Sequence, residues 1–270
     1  MAALLALPFL SSCFPAPVAP MPSLSYPAQP AVRQPNLLVL LEGIGSANTY
    51  FEETGIIAEI RARRLPFDVV VPHAHYGYYK AQTIEVRLRE DVLEPARRQG
   101  YRKIWLAGFS MGGAGAILYA RDHPSDIDGV LLICPFLGGT AIHREIQAAG
   151  GVAAWNRTTT DPQDWERFLW TWIKTRDPAA TPPIWLGYGA DDTRVGDGPP
   201  LLAATLPAAR VFKVPGGHTL ATFKAVFQHD LDTLAQEQPQ GSVAEALTSS
   251  RSAAALRPPG PGTPGSRAGR

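Results

Sequence analysis

The sequence contains little cysteine, little net charge and no apolar run long enough to cross a membrane. Two cysteines among 270 residues cannot build a disulfide framework. A formal net charge of +1 gives no reason to expect a nucleic-acid partner or attraction to an acidic membrane surface. The N-terminal apolar run has about ten residues, roughly half of what a membrane-spanning helix needs. These absences leave a globular chain with 45% hydrophobic residues, of a length that suits one domain of moderate size.

The two ends of the chain differ in composition from the middle. Residues 1–35 combine the short apolar run with a Pro-rich segment, which predicts a leader followed by an extended linker. The stretch LSSC (10–13) resembles the bacterial lipobox, in which the cysteine carries a lipid, but no Lys or Arg precedes Arg33. Two interpretations stay open: a lipoprotein anchored to the bacterial cell envelope through Cys13, or a plain leader on a cytoplasmic protein. Residues 237–270 predict a disordered tail by composition.

Between these ends, residues 36–236 alternate short apolar runs with longer amphipathic ones. The short runs are apolar on both faces, which is typical of a parallel sheet covered by helices on both sides. We therefore predict an α/β domain with a mostly parallel sheet of about six strands and no hairpin strands before it. The strands are expected within residues 36–43, 67–73, 103–109, 129–136, 184–189 and 209–217.

The alternation breaks once, and no strand pattern is visible over residues 138–182. This interval contains helical patterns and four tryptophans, from Trp155 to Trp172. Because it follows one strand and precedes the next, it predicts a small helical cap over the carboxyl edge of the sheet. The tryptophans have two readings: packing between cap and body, or the lining of an apolar substrate pocket.

The stretch GFSMG (108–112) fits the pattern G-x-S-x-G, with a predicted strand directly before it and a predicted helix directly after it. This context is typical of a nucleophile elbow, in which the serine occupies a strained turn and projects above the sheet. Ser110 is then the predicted nucleophile, and the N–H of Met111 is predicted to bind an oxyanion at the helix N-terminus. A phosphate-binding loop is excluded, because no Lys-Ser/Thr pair follows the glycines.

A serine nucleophile needs a general base, and the base needs an acid that orients it. The expected chain order is serine, acid, histidine. Asp191 and Asp192 follow the strand at 184–189, and His218 follows the strand at 209–217. His218 is therefore the predicted base, while the residue pattern alone leaves the acid open between the two aspartates.

The motifs GFSMGG, GYGADDTRV and PGGH together resemble the α/β-hydrolase superfamily, over about residues 36–236. The resemblance implies the α/β-hydrolase fold. The family's G-x-x-D-x-x-V pattern, placed on Gly189, selects Asp192 as the acid and Val195 as its closing residue. It also implies a second oxyanion donor in the loop after the first strand, here the N–H of Ile44. That loop has Glu42 where the family usually has histidine.

The resemblance implies a serine hydrolase that needs no cofactor, and we expect a small ester as its substrate. Thioester hydrolysis or acyl transfer on the same three residues stays open, as does a catalytically silent binding protein that keeps the fold. The H-x-H pair of His73 and His75 would need a third ligand to bind zinc, and the sequence offers no evident one. We expect these histidines at the rim of the site, and no metal. Cys134 is predicted to be a small core residue.

Overall fold

The computed structural model of the protein describes residues 14–29 and 32–237, and it has a seven-stranded sheet with helices packed around it. The strands are β1 (Ser23–Tyr26), β2 (Asn36–Leu41), β3 (Phe67–Pro72), β4 (Lys103–Phe109), β5 (Gly129–Ile133), β6 (Ile184–Gly189) and β7 (Val211–Val214). Their spatial order is β1-β3-β2-β4-β5-β6-β7. All neighbouring pairs are parallel except β1 and β3. The predicted fold, a mostly parallel sheet between helices, is confirmed.

Ten α-helices connect or cover the strands within the described residues. They are α1 (Tyr50–Glu53), α2 (Ile56–Ala62), α3 (Tyr76–Lys80), α4 (Ile84–Leu88), α5 (Glu94–Arg98), α6 (Met111–Asp122), α7 (Thr140–Ala148), α8 (Trp165–Thr175), α9 (Gly198–Ala203) and α10 (Leu220–Glu237). A π-helical segment, Arg89–Leu93, joins α4 to α5. None of the helices in the described ranges is long and apolar enough to cross a membrane.

The central strands are buried on both faces, as their continuous apolar sequences predict. Every residue of β2, β5 and β6 is buried, and so are six of the seven residues of β4. Helix α6 packs on one side of this sheet, and α10 buries Val226, Phe227 and Leu231 against it. Burial of one such side chain contributes roughly 1.5–3 kcal/mol to folding.

The N-terminal segment differs from the prediction, because β1 adds a seventh strand where we expected a linker and no early strand. Leu24 and Tyr26 of β1 pack on the core, and the strand pairs antiparallel with β3. The carboxylate of Asp68 in β3 accepts hydrogen bonds from the N–H groups of Ala28, at 2.8 Å, and Gln34, at 3.2 Å. The segment predicted to be an extended linker thus contains a strand that belongs to the sheet. The LSSC motif and the predicted tail lie outside the described residues, except for Glu237, the last residue of α10.

Two helices and no strand occupy the interval between β5 and β6, all of which the structure describes. Trp155 and Trp170 are fully buried there. The indole Nε1–H of Trp155 donates to Glu145 Oε1 of α7 at 2.7 Å, and that of Trp170 donates to the carbonyl of Leu137 at 2.8 Å. These two tryptophans thus pack the interval together and join it to the end of β5.

Candidate active site

Ser110 lies at the sharp turn between β4 and α6, in a backbone conformation that side chains rarely adopt. Its φ is 52° and its ψ is −115°. Such a residue is held in place only when its surroundings force the conformation. Here two contacts do so: the Ser110 N–H donates to the carbonyl of Ile133 at 3.0 Å, and the N–H of Phe136 donates to the Ser110 carbonyl at 2.8 Å. The turn is therefore fixed by the neighbouring strand β5.

The glycines of this turn provide space for close backbone packing. A Cβ atom on Gly108 would overlap the carbonyl of Gly112, and one on Gly112 would overlap the carbonyl of Leu41. A Cβ on Gly113 would lie 2.5 Å from the Cβ of Pro135. The small residues let the start of α6 sit directly between the ends of β2 and β5, so these glycines have a packing role.

The structure brings together three side chains that are spread over more than 100 residues of the sequence. His218, in the loop after β7, has its Nε2 2.9 Å from Ser110 Oγ and its Nδ1 2.7 Å from Asp192 Oδ2. The side chains of Asp192 and His218 are nearly buried, with 2% and 11% of their surface exposed. The ring of Phe223 meets the His218 ring edge to face, with centroids 4.9 Å apart. The imidazole is thus held by contacts with Ser110, Asp192 and Phe223.

The two candidate aspartates have different partners. Asp192 Oδ1 accepts hydrogen bonds from the backbone N–H groups of Arg194, at 3.1 Å, and Val195, at 3.4 Å, while Oδ2 contacts His218. Asp191 is exposed, and its Oδ2 accepts from the N–H of Gly216 at 3.2 Å. Only Asp192 is close enough to orient the imidazole. Asp191 instead connects the loop after β6 to the loop that carries His218.

Two backbone segments lie beside Ser110, and they carry the predicted oxyanion donors, the N–H groups of Met111 and Ile44. Met111 is the first residue of α6, so its N–H lies at the positive end of that helix. The loop after β2 approaches from the other side: a Cβ atom on Gly43 would lie 3.3 Å from Ser110 Cβ and 3.8 Å from its Oγ. Within the described part of the chain, neither the Met111 nor the Ile44 N–H donates a hydrogen bond to another residue. Both are therefore available to a ligand.

Glu42, next to Gly43, is the unusual group of this site. It is 1% exposed, and neither of its carboxylate oxygens has a hydrogen-bond partner among the described residues. Burial raises its pKa to about 8, against a smaller opposing effect of the backbone N–H groups of Glu42 and Ala74. The hydroxyl of Tyr79 is likewise buried without a partner, and burial together with Glu42 raises the pKa of that phenol. Burial therefore favours the neutral form of Glu42 at neutral pH.

The structure places Glu42 in the loop after β2, as expected, but its protonation state escaped the sequence analysis. A signal was present: Glu42 directly follows the all-apolar run LLVLL (37–41), where a charged group is expensive to bury.

A cavity of about 1020 Å³ opens beside the elbow and runs between α4, the π-helical segment, α6 and α8. Met111, Ala114 and Phe136 line the end next to Ser110. Trp165 lines the same cavity, with its ring centroid 6.1 Å from that of Phe136. Of the two readings of the tryptophans, packing therefore fits Trp155 and Trp170, and cavity lining fits Trp165.

His73 and His75 lie near each other but form no cluster of three or more metal-binding side chains with other described residues. Their ring centroids are 5.0 Å apart. His75 Nδ1 accepts a hydrogen bond from the N–H of Gly77 at 3.1 Å, which caps α3. The described part of the chain thus gives His75 a structural partner. Cys134 is buried at the end of β5, where burial raises the pKa of its thiol to about 12.

Part of the sequence matches a known family model. Residues 88–163 match the family model described as serine aminopeptidase, S33. The matched range contains Ser110 but neither Asp192 nor His218. A search of curated proteins finds no match to this sequence.

Solved structures of esterases and lipases resemble the whole domain. A ferulic acid esterase shares 16% identity, with a TM-score of 0.54 over 76% of this chain and 86% of its own. A monoacylglycerol lipase of Paleococcus ferrophilus shares 14%, with a TM-score of 0.55 over 81% and 99%. The fluorophosphonate-binding serine hydrolase F of Staphylococcus aureus shares 14%, with a TM-score of 0.54 over 80% and 98%. At such identities the likeness shows the fold alone. The chain has the α/β-hydrolase fold, and the three proteins named here, which share it, are hydrolases.

Proposed function

We propose that this protein of the α/β-hydrolase superfamily is a serine hydrolase that cleaves carboxylic esters through an acyl-enzyme. The observation that carries the proposal is the continuous chain of hydrogen bonds from Ser110 Oγ through the His218 ring to Asp192, with lengths of 2.9 and 2.7 Å. A serine hydroxyl is a weak nucleophile, and it becomes effective when a base within hydrogen-bond reach takes its proton. The likeness to esterases and lipases supports the same class of reaction.

In the first half of the proposed reaction, Ser110 Oγ attacks the acyl carbon and its proton moves to His218 Nε2. Asp192 accepts the hydrogen bond of the Nδ1–H, which selects the required tautomer and stabilises the imidazolium. The carbonyl oxygen becomes an oxyanion between the N–H groups of Met111 and Ile44. Donors already oriented for that charge are worth roughly 3–4 kcal/mol each in such sites.

The first oxyanion then collapses as the imidazolium gives its proton to the leaving alcohol, which departs and leaves the acyl group on Ser110. Hydrolysis of this acyl-enzyme follows. His218 then takes a proton from water as that water attacks the acyl carbon. Collapse of the second oxyanion releases the acid and returns the proton to Ser110 Oγ. No step requires a redox change, and every proton passes through His218.

The test is turnover of p-nitrophenyl esters and labelling by a fluorophosphonate probe, in the protein and in Ser110→Ala. We expect Ser110→Ala to lose labelling and to lower kcat by roughly 10⁶-fold, because the nucleophile and its base act as a unit. Ser125→Ala is the matched control, because this serine is exposed and lies just beyond the far end of α6. This variant should retain both labelling and turnover. Labelling that persists in Ser110→Ala would refute the assigned nucleophile.

A panel of one acyl group as ester, thioester and amide decides the bond that is cleaved. The proposal expects the ester to have the highest kcat/KM. A higher value for the thioester would instead identify a thioesterase on the same three residues. A protein that neither turns over the panel nor takes the probe would be a silent binding protein.

A further inference from the structure

We propose that the cavity beside Ser110 is the binding site for the acyl part of the substrate, and that it selects an uncharged, medium-length acyl chain. This inference rests on the proposed function, because it assigns the cavity to the substrate of Ser110. The volume of about 1020 Å³ lies at the upper end of the range found for small-molecule sites.

The direction of the cavity follows from α6, which forms one of its walls. Met111, Ala114, Leu118 and Arg121 line it in turn, so it extends along the helix away from the elbow. The distance from Met111 to Leu118 is about 10 Å at the rise of an α-helix. An octanoyl chain is of the length that this distance accommodates.

The wall that α6 contributes to the cavity becomes more polar with distance from Ser110. The end beside Ser110 is lined by Met111, Ala114 and Phe136, and the middle by Leu118 and Phe168. An apolar lining of this kind stabilises a complex with an apolar ligand, because both apolar surfaces are removed from water. The α6 wall therefore matches an aliphatic chain from Met111 to Leu118, and Glu166, which lines the end near Phe136, already accepts a hydrogen bond from the N–H of Gly139 at 2.7 Å.

Charged side chains line the far end, but they pair with one another. Arg121 contacts Asp122 at 2.6 Å and Glu85 at 3.9 Å, and its guanidinium lies 4.4 Å from the centroid of Phe168. Arg89 contacts Glu94 at 3.3 Å. Both guanidinium groups of the lining are thus paired, and the lining as a whole has five carboxylates against three cations, which disfavours an anionic ligand. The paired charges instead end the apolar part of the cavity.

The positions of the reacting groups assign the cavity to the acyl part rather than to the alcohol. The leaving alcohol must lie next to His218 Nε2, which gives it a proton. The cavity begins at Met111, whose N–H is proposed to hold the oxyanion, and neither Ser110 nor His218 is among its lining residues. Because the alcohol must lie on the His218 side of the acyl carbon, we assign the cavity on the Met111 side to the acyl chain.

The neighbouring glycines explain why the cavity is open close to the elbow. Tyr79 reaches α6 so closely that a Cβ atom on Gly115 would lie 2.5 Å from its hydroxyl oxygen. Ala114 occupies the adjacent position on the cavity wall. Larger residues at the start of α6 would either displace Tyr79 or fill the space beside Ser110.

The experiment measures kcat/KM for p-nitrophenyl acetate, butyrate, octanoate and dodecanoate. In the unmodified protein we expect the value for octanoate to exceed that for acetate by about tenfold or more, because each buried methylene adds binding energy. Leu118→Trp fills the middle of the cavity and should lower the octanoate-to-acetate ratio by about tenfold. Leu206→Trp, at a half-buried leucine outside the lining, should leave that ratio unchanged.

Two further measurements keep the proposal open to refutation. Val86→Trp, at a 41% exposed position of the same lining, should shift the ratio in the same direction if Leu118→Trp fails to fold. Alkyl acetates of increasing alcohol length should show no such dependence on either variant. A ratio that neither variant moves, or a dependence seen only with alkyl acetates, would overturn the assignment to the acyl chain.

Binding of sodium octanoate, measured by calorimetry, separates this inference from the proposed function. If no ester is turned over but octanoate binds and Leu118→Trp weakens it, the cavity assignment stands and the esterase proposal fails. If esters are turned over but octanoate binding does not respond to Leu118→Trp, the esterase proposal stands and the cavity assignment fails.

Discussion

The loops beside Ser110 carry two buried carboxyl groups, and these differ in their hydrogen-bond partners. Asp192, in the loop after β6, accepts hydrogen bonds on both oxygens, from two backbone N–H groups and from the His218 ring. Glu42, in the loop after β2, has no such partner on either oxygen within the described chain, and its pKa is raised to about 8. The first environment supports a negative charge, and the second opposes one.

The difference fits the charge that develops during ester cleavage. The imidazolium of the transition state forms beside Asp192, where an anion stabilises it. The oxyanion forms beside Gly43, which neighbours Glu42, and there an anion would oppose it. A carboxyl group kept neutral by its apolar surroundings can therefore occupy the loop after β2 without cost to the proposed reaction. The comparison can be tested by changing one carboxyl group at a time.

Asp192→Asn should have the largest effect. Asparagine keeps the shape of the side chain but offers His218 an amide, which favours the wrong imidazole tautomer. We expect kcat for p-nitrophenyl esters to fall by about ten-thousandfold, with the far-ultraviolet circular dichroism unchanged.

Asp191→Asn is the matched control for that change, because it alters the neighbouring residue by the same atoms. Its carboxylate makes one exposed hydrogen bond, to the N–H of Gly216. Such a bond is worth about 1 kcal/mol, so the loss in kcat should stay below about tenfold. Equal losses in the two variants would contradict the assignment of Asp192 as the orienting acid.

Glu42→Gln should have an intermediate effect, confined to alkaline pH. Above pH 8 the wild-type carboxyl group loses its proton and places an anion near the developing oxyanion, so kcat/KM should fall by roughly tenfold. Glutamine cannot ionise, and the variant should lack this alkaline limb. Rates are corrected with Ser110→Ala at each pH, since p-nitrophenyl esters hydrolyse unaided in base. An identical alkaline limb in both proteins would remove Glu42 as its cause.

Much of the fold could be predicted from the sequence, because the strands of a covered parallel sheet carry their signal locally. Each of β2 to β7 lies within a predicted range, since a run such as NLLVLL (36–41) is apolar on both faces. β1 carries no such signal. Its residues, SLSY (23–26), alternate in burial at the edge of the sheet, and their pairing depends on β3 more than 40 residues away.

The candidate site, like the fold, was predictable from the sequence only in part. The meeting of Ser110, Asp192 and His218 was predictable, because each follows a strand of one parallel sheet and such strand ends share an edge. Their catalytic roles stay a prediction until the variants are measured. The cavity was not predictable, because it depends on α4, α6 and α8 packing around these residues, whereas the run LLVLL (37–41) gave a local signal for the burial of Glu42. No local pattern encodes that packing.

Glu42→Gln is also expected to change stability, and the sign of that change follows from the direction of the pKa shift. The native protein holds a proton on Glu42 up to about pH 8, whereas the unfolded chain releases it near pH 4.5. Native stability therefore falls with rising pH through this window, by at most about 1.4 kcal/mol per pH unit from this group. Glutamine removes that dependence. Compared with the wild type, Glu42→Gln should gain a few kcal/mol in free energy of unfolding between pH 5 and pH 8, measured in urea. A difference between the two proteins that is the same at both pH values would mean that Glu42 is ionised in the folded state, and the contrast with Asp192 would then disappear.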